Sequence, residues 1–147
     1  MTELERSQIE GCPVLLYDGV CALCNGVVQY LLRHDRVGRF RFIPQQTRLA
    51  EDLFKRFPED PEPAEGVMLI TAALTPQALI YRRSDAVCQA LPLLGGSSAF
   101  LGRLLRIVPH RLREAVYRLV ARYRYRLFGR YDTCPIPSAE QRSRLLG

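Results

Sequence analysis

Hydrophobic residues along this chain occur in short blocks and helical stripes that alternate in the manner of an α/β protein. A continuous apolar run over residues 13–17 predicts a strand buried on both faces. Apolar residues at helical spacing then predict a helix over residues 22–35. Residues 39–43 alternate between polar and apolar types, which predicts a second strand that ends at Pro44. The chain therefore begins with a β-α-β unit.

The middle of the chain continues the same pattern. Residues 47–57 have the periodicity of a helix, and two apolar blocks at residues 67–70 and 78–81 predict an antiparallel hairpin. A further helix is expected to begin at Ser84 or Asp85, both good N-cap residues, and to end at a pair of glycines. The order of elements to this point is β-α-β-α-β-β-α.

Two more helices are predicted after this unit, over residues 97–128. The first is expected to begin at Ser97 or Ser98, and the second to follow Pro109. Each has an apolar stripe that predicts burial in the core. The stripe residues are Phe100, Leu101, Leu104 and Leu105 in the first helix and Leu112, Val116, Leu119, Tyr123 and Leu127 in the second.

Length and composition fit one globular domain. The chain has 147 residues, of which 48% are hydrophobic, enough to bury one core but too few for two. We interpret residues 1–147 as a single domain with a polar leader over 1–12, the helical pair over 97–128 and a C-terminal tail over 129–147. No apolar run approaches the roughly 18 residues that span a bilayer, and the first residues lack the pattern of a secretory signal.

Positive charge is concentrated in the last third of the chain. Residues 103–147 carry 11 arginines against 3 acidic residues, whereas residues 1–102 are slightly acidic overall. Such an asymmetry favours either contact with an anionic partner or a solvated helix face. Nucleic acid is not the expected partner, because a tyrosine that interleaves with the arginines also fits the core-facing stripe. The acidic segment over residues 59–65 is an internal candidate for the counter-charge.

The cysteines carry the clearest chemical signal. Five cysteines without a secretory signal argue against a disulfide framework and favour a reducing compartment, so we expect a cytoplasmic protein. Cys21 and Cys24 form a Cys-x-x-Cys pair at the predicted transition from strand to helix. A thiolate at a helix N-terminus faces unpaired backbone N–H groups and the positive end of the helix dipole, which stabilise the anion. We therefore expect Cys21 to be the nucleophile and Cys24 to resolve the mixed disulfide.

Other uses of this cysteine pair stay open at the level of the sequence. A structural zinc site needs four ligands, and the remaining cysteines and histidines stand alone: Cys12, Cys88, Cys134, His34 and His110. Covalent haem attachment needs a histidine after the pair, where this chain has Asn25. An aspartate after a buried strand, like Asp18, also occurs in phosphoryl-transferring hydrolases, but those carry a second acid where Val20 stands here. The two cysteines can also lack any function.

The DCC family of predicted thiol-disulfide oxidoreductases, named for its Asp-Cys-Cys arrangement, has a signature that this chain resembles over Tyr17-Asp18-Gly19-Val20-Cys21-Ala22-Leu23-Cys24-Asn25. The similarity covers residues 13–137, including the stretch at Cys134-Pro135. It implies a thioredoxin-like α/β fold, with a central mixed four-stranded sheet flanked by helices and two additional C-terminal helices. It also implies dithiol-disulfide exchange without a metal or organic cofactor.

The resemblance makes Asp18, Cys21 and Cys24 the family's namesake residues in this chain. Asp18 is expected either to accept a proton from a thiol or to serve as a turn residue that binds backbone N–H groups. Thioredoxins also place a cis-proline immediately before their third strand. This chain has Glu65-Gly66 at that position, and Pro63 lies three residues earlier.

The leading hypothesis is an oxidoreductase acting on a protein or small-molecule thiol or disulfide, with an electron donor and an oligomeric state that the sequence does not identify. Ala22 and Leu23, between the cysteines, supply no cation for a thiolate. This disfavours a strong oxidant and favours a reductant or an isomerase. The alternative is a binding module whose basic C-terminal helix contacts nucleic acid or an anionic protein, with a cysteine pair that is non-catalytic or binds zinc.

The other cysteines have different expected roles. Cys12 lies at the far end of the first strand, about 20 Å from the pair at ~3.3 Å per residue, and is not expected to take part. Cys88 falls in a predicted helix and is expected to be buried. Cys134 is either a third redox cysteine or structural, and the two histidines are expected at helix ends.

Overall fold

A computed structural model describes residues 1–57, 66–132 and 141–147 of the chain. The expectations for the acidic segment, for Pro63 and for Cys134 lie outside these residues. The elements are α1 (Glu3–Ile9), β1 (Val14–Tyr17), α2 (Ala22–His34), β2 (Arg41–Pro44), α3 (Arg48–Phe54), β3 (Met68–Thr71), β4 (Leu79–Arg82), α4 (Arg83–Leu94), α5 (Gly96–Ile107), α6 (His110–Phe128) and a short 3-10 helix (Gln141–Ser143).

The four strands form one mixed sheet in the order β2-β1-β3-β4. β1 pairs in parallel with β2, with Leu15 opposite Phe42, because α2 carries the chain across one face of the sheet. β3 pairs antiparallel with both β1 and β4, and the predicted hairpin is confirmed. This sheet confirms the α/β class and the thioredoxin-like arrangement, with α5 and α6 as the two additional helices.

The central strand β1 is buried at all four positions because helices cover both faces of the sheet. Its side chains alternate between two core clusters, as the pleat requires. Val14 and Leu16 pack with α1 and α3 on one face. Leu15 and Tyr17 pack with α2 and α4 on the other face, in the same cluster as Cys21. The cysteine pair therefore belongs to one of the two cores.

The polar leader contains a helix that the pattern did not predict. α1 begins at a capping box, in which the Thr2 side chain accepts from the Glu5 N–H and the Glu5 carboxylate accepts from the Thr2 N–H. Ile9 is the one core residue of this helix and is fully buried. One apolar contact in seven residues produces no detectable hydrophobic periodicity, which is why the helix was missed.

Two predicted helix starts differ from the structure. α4 begins at Arg83, before Ser84 and Asp85, and has no side-chain cap. α5 begins at Gly96, not after Ser97 or Ser98, because Gly95 and Gly96 both have positive φ and turn the chain directly from α4 into α5. Ser98 is instead buried, and its hydroxyl lies 2.9 Å from that of Tyr30.

The predicted core faces of α5 and α6 are wrong. The α6 stripe residues Leu112, Val116, Leu119, Tyr123 and Leu127 are between 37% and 71% exposed. On α5, Ser98 and Gly102 are the buried residues, whereas Phe100, Leu101 and Leu104 are exposed and Leu105 is half-buried. α6 contacts α2 and α4. Its inward face is polar and includes Glu114, Tyr117 and Arg124, which bond to Ser84, the Val67 N–H and Asp18. Hydrophobic periodicity locates an apolar stripe but does not decide which face of a helix is covered.

Within the described part of the chain, each helix is too short or too polar to cross a lipid bilayer.

Candidate active site

Cys21 and Cys24 lie at the start of α2, where the turn after β1 enters the helix. Cys21 is the N-cap residue, with extended backbone, and its Sγ accepts a hydrogen bond from the Cys24 N–H at 3.3 Å. A cap position requires an acceptor for the first unpaired N–H groups, and sulfur takes the place that serine or aspartate oxygen usually fills. The Cys21 sulfur therefore sits at the positive end of the helix dipole, as the sequence predicts.

Both sulfurs are withdrawn from solvent. Cys21 is fully buried and Cys24 is 4% exposed. Burial, reinforced by the neighbouring Cys21 sulfur, raises the pKa of Cys24 to about 12. At neutral pH, Cys24 therefore remains a protonated thiol.

Asp18 lies at the end of β1 and is buried beside the pair. Its Oδ1 accepts from the Val20 N–H at 3.2 Å and from Gln46 Nε2 at 2.8 Å. Its Oδ2 accepts from the Tyr125 hydroxyl and, at 3.4 Å, from Arg124 Nη2. The bond to Val20 closes the predicted turn, while the other three partners come from distant elements.

The charge state of Asp18 follows from these bonds. Burial by itself raises the pKa of this carboxyl. The hydrogen bonds from Tyr125, Gln46 and Val20, together with the charge of Arg124, outweigh burial and hold the Asp18 pKa below its usual range. Asp18 is therefore ionised at neutral pH, and its lowered pKa makes it a weaker base than an ordinary aspartate.

Arg124 and Tyr125 also line the candidate site, where the sequence analysis placed neither of them. Arg124 is only 7% exposed, although it lies in an arginine-rich helix. Its Nη2 also donates to Tyr125 Oη at 3.1 Å, and its guanidinium stacks over the Tyr125 ring. The one available signal was position: Arg124 falls outside the apolar stripe of α6, on the face that the structure turns toward the domain.

Gly66 lies two residues before β3, in the segment where the sequence lacks the cis-proline of thioredoxins. Its φ is +102°, and a Cβ there would lie 2.0 Å from Tyr117 Oη. The Tyr117 hydroxyl accepts from the Val67 N–H at 3.1 Å, and Gln45 Nε2 donates to the Gly66 carbonyl at 2.8 Å. Tyr117 also packs against the cluster that contains both cysteines. A glycine is therefore required for α6 to approach the sheet.

The segment after α6 covers the start of α2. The Ala22 N–H donates to the Gly129 carbonyl at 3.3 Å, and the Tyr131 N–H donates to the Val20 carbonyl at 2.8 Å. Cys21 and Arg130 form an antiparallel bridge between these bonds. We call residues 129–131 the strap. The strap lies across the N-terminus of α2, beside the buried sulfur of Cys21.

The remaining candidates lie apart from this site. Cys88 is buried in α4, as predicted, and Cys12 lies at the opposite end of β1 from the pair. His34 stacks on Tyr30, and His110 lies 3.3 Å from Asp85. Within the described ranges, no three or more Cys, His, Asp or Glu side chains come together as the ligands of a metal would.

Comparison with known proteins gives the chain its family. Residues 15–130 match the family model of the DCC1-like thiol-disulfide oxidoreductases. The chain belongs to this family. Two relatives agree with the assignment: a chloroplastic DCC family protein of Arabidopsis thaliana is 32% identical over 84% of this chain and 69% of its own length. The uncharacterised protein YuxK of Bacillus subtilis is 32% identical over 90% of this chain and 93% of its own length.

The resemblance read from the nine-residue motif is confirmed by these matches. No solved structure matches the chain. The site geometry of this DCC1-like protein is therefore given by the contacts within this chain alone.

Proposed function

We propose that this DCC1-like protein exchanges disulfides with a thiol or disulfide substrate, with Cys21 as nucleophile, Cys24 as resolving thiol and Asp18 as an ionised positioning group. The observation that carries the proposal is the place of Cys21 at the N-cap of α2, one turn before Cys24. Helix N–H groups and the helix dipole stabilise a sulfur anion at this position. The buried, protonated Cys24 is suited to act second.

The first step joins Cys21 to the substrate. The Cys21 thiolate attacks one sulfur of a substrate disulfide, a new S–S bond forms, and the second substrate sulfur leaves as a thiolate that takes up a proton. Cys24 then attacks the Cys21 sulfur, the bond between Cys21 and the substrate breaks, and the departing substrate sulfur takes up the Cys24 proton and leaves as a second thiol. The protein dithiol is oxidised to a disulfide by two electrons, and the substrate disulfide is reduced to two thiols.

Turnover requires a thiol electron donor that reduces the Cys21–Cys24 disulfide by the same two steps in reverse. The substrate is a protein or a small molecule. Because Cys21 is buried beside the strap, we propose that the strap moves aside before a substrate sulfur reaches Cys21.

For location we propose the cytoplasm, because the chain has five cysteines, an odd number that does not suit a framework of structural disulfides. The Arabidopsis relative is named chloroplastic, which describes that protein. Fractionation of cells that express a tagged chain tests the location.

The function is tested by trapping. Cys24→Ser leaves a Cys21 mixed disulfide with no thiol to resolve it, so we expect a stable adduct with a model disulfide, detected by mass spectrometry. Cys21→Ser should form none. The matched control, Cys12→Ser combined with Cys24→Ser, should trap as well as Cys24→Ser, because Cys12 lies at the other end of β1. If Cys24→Ser forms no adduct and the native protein reduces no disulfide, the proposed function is wrong.

A further inference from the structure

The guanidinium of Arg124 has donors without acceptors. Its side chain is 8% exposed, and Nη2 is held by Asp18 and Tyr125. Nε and Nη1 are buried and have no hydrogen-bond partner among the described residues. Buried donors of a charged group are almost always paired, because an unpaired one forfeits its hydration. The Arg124 guanidinium therefore has two buried donors that its bonds to Asp18 and Tyr125 do not use.

Few titratable or charged groups face the cysteine pair in the described part of the chain. Asp18 faces the pair from the turn before α2 and is already bonded by Val20, Gln46, Tyr125 and Arg124. Tyr117 and Tyr125 face the cysteine pair from α6. Both phenols are neutral, since burial raises the pKa of each. Asp18 joins Arg124 to Cys21: its carbonyl accepts from the Cys21 N–H at 3.2 Å, and its carboxylate accepts from Arg124 Nη2 at 3.4 Å. Arg130 lies opposite Cys21 in the strap, but it is exposed.

We propose that Arg124 is the counter-ion of the active-site thiolate, a positioning residue clamped by Asp18 and Tyr125 whose buried positive charge stabilises the Cys21 sulfur anion. This inference rests on the proposed function. It also revises the expectation that no cation serves the thiolate, because that expectation considered only the two residues between the cysteines. Stabilising the thiolate favours the reduced protein, so the Cys21–Cys24 disulfide becomes more oxidising.

The test is the pH dependence of Cys21 alkylation by iodoacetamide, in a full-length background of Cys24→Ser with Cys12, Cys88 and Cys134 replaced. Arg124→Gln should raise the midpoint of the rate profile by about one unit, and Arg124→Lys should restore part of the shift. Arg111→Gln, at an exposed arginine of the same helix, should leave the midpoint unchanged. A folded Arg124→Gln protein with the native midpoint overturns the proposal.

A second variant and a comparison with the trapping experiment complete the test. If Arg124→Gln does not fold, Arg124→Met fills the buried site with a chain of similar length and carries the same expectation. Alkylation of Cys21 does not require turnover, so the two proposals can fail separately. If Arg124→Gln shifts the midpoint as expected but Cys24→Ser traps no mixed disulfide, the role of Arg124 is supported and the proposed function is contradicted.

A second, independent inference concerns the outer face of α6. The helix packs on the domain by its polar side, and Leu112, Val116, Leu119 and Leu127 form an apolar stripe that is 54% to 71% exposed. A row of exposed arginines one turn apart, Arg118, Arg122 and Arg126, borders this stripe. A monomeric protein rarely exposes so long an apolar stripe on one helix, which indicates an interaction surface.

The charge around the stripe selects the partner. A second copy of the chain would bring two arginine rows together, and the last 45 residues carry only 3 acidic groups to offset 11 arginines. An anionic lipid surface accepts both features, since leucines enter the acyl boundary while arginine stems extend to the phosphates. We infer that the outer face of α6 binds the surface of an anionic phospholipid bilayer.

The absence of tryptophan from the chain provides a clean probe. Leu119→Trp should show a blue-shifted emission with vesicles that contain about 30% phosphatidylglycerol, and little change with pure phosphatidylcholine. Adding Val116→Asp should abolish the shift, whereas Val37→Asp, at an exposed valine outside the helix, should preserve it. No shift with anionic vesicles, or a dimer in light scattering that Val116→Asp dissociates, overturns the inference.

Discussion

Arg124 Nη2 lies 3.4 Å from the Asp18 carboxylate, although the two residues stand 106 positions apart in the chain. Asp18 ends the central strand β1, and Arg124 belongs to the last long helix, α6. Both side chains are more than nine-tenths buried. Tyr125 reinforces the contact with a hydrogen bond to the same carboxylate oxygen. The helix expected to be an addition to the fold therefore supplies part of the wall of the candidate active site.

Asp18→Asn should destabilise the protein by about 2 kcal/mol, because it leaves the buried Arg124 charge without its partner. The free energy of unfolding in urea measures this directly. Asp52→Asn is a matched control, since Asp52 also pairs with a cation but lies at the surface near Lys55, and it should lose much less. Equal losses in the two variants would contradict the buried clamp.

The stability that Asp18 contributes should depend on pH. Its folded pKa lies below the ordinary value near 4, so the unfolded chain binds the proton more readily. The contribution is complete above that ordinary value and is lost as the pH falls through the folded pKa. The difference in unfolding free energy between native protein and Asp18→Asn should be largest near neutral pH and shrink in acid. A difference that grows in acid would reverse the assigned charge state.

Gly66→Ala should destabilise the protein by about 2 kcal/mol or more, because its Cβ would lie 2.0 Å from Tyr117 Oη on a backbone with φ of +102°. Adding Tyr117→Phe should recover part of the loss by removing the clashing oxygen. Gly26→Ala, in α2 with open space around it, should be neutral or stabilise by about 0.5 to 1 kcal/mol. Thermal unfolding of the four proteins checks all these values.

Tyr131→Pro should open the strap. Proline removes the N–H that donates to the Val20 carbonyl at 2.8 Å, so Cys21 should be alkylated several-fold faster at neutral pH. Tyr131→Ala keeps this N–H and separates the effect of the backbone bond from that of the side chain. If both variants react at the native rate, the strap does not limit access to the sulfur.

Alkylation should also distinguish the two cysteines of the pair. Cys24, whose pKa is raised to about 12, is expected to react much more slowly than Cys21 at neutral pH. Peptide mass spectrometry after a short exposure to iodoacetamide measures both rates in one sample. Preferential labelling of Cys24 would exchange the roles proposed for the two sulfurs.

The local sequence pattern predicted much of the fold, because the formation of these strands and helices depends largely on neighbouring residues. The continuous apolar run became the buried central strand, and the two apolar blocks that follow became the hairpin of β3 and β4. α1 escaped prediction because only Ile9 of its seven residues enters the core. The start of α5 was misplaced because positive φ at Gly95 and Gly96 replaces side-chain capping at that corner. The start of α4 was misplaced because this helix begins at Arg83 without a side-chain cap.

The sequence by itself determined the family and the placement of Cys21 and Cys24 where a buried strand enters a helix, since strand burial and helix capping depend on neighbouring residues. Only the tertiary structure decided that Arg124 and Tyr125 reach Asp18, because contacts across more than a hundred residues leave no local pattern. It also decided that α6 turns its polar face inward. An amphipathic helix has two faces, and its contacts with distant residues decide which one is covered. In α6 the covered face is the polar one, which carries Arg124 to the buried Asp18 carboxylate.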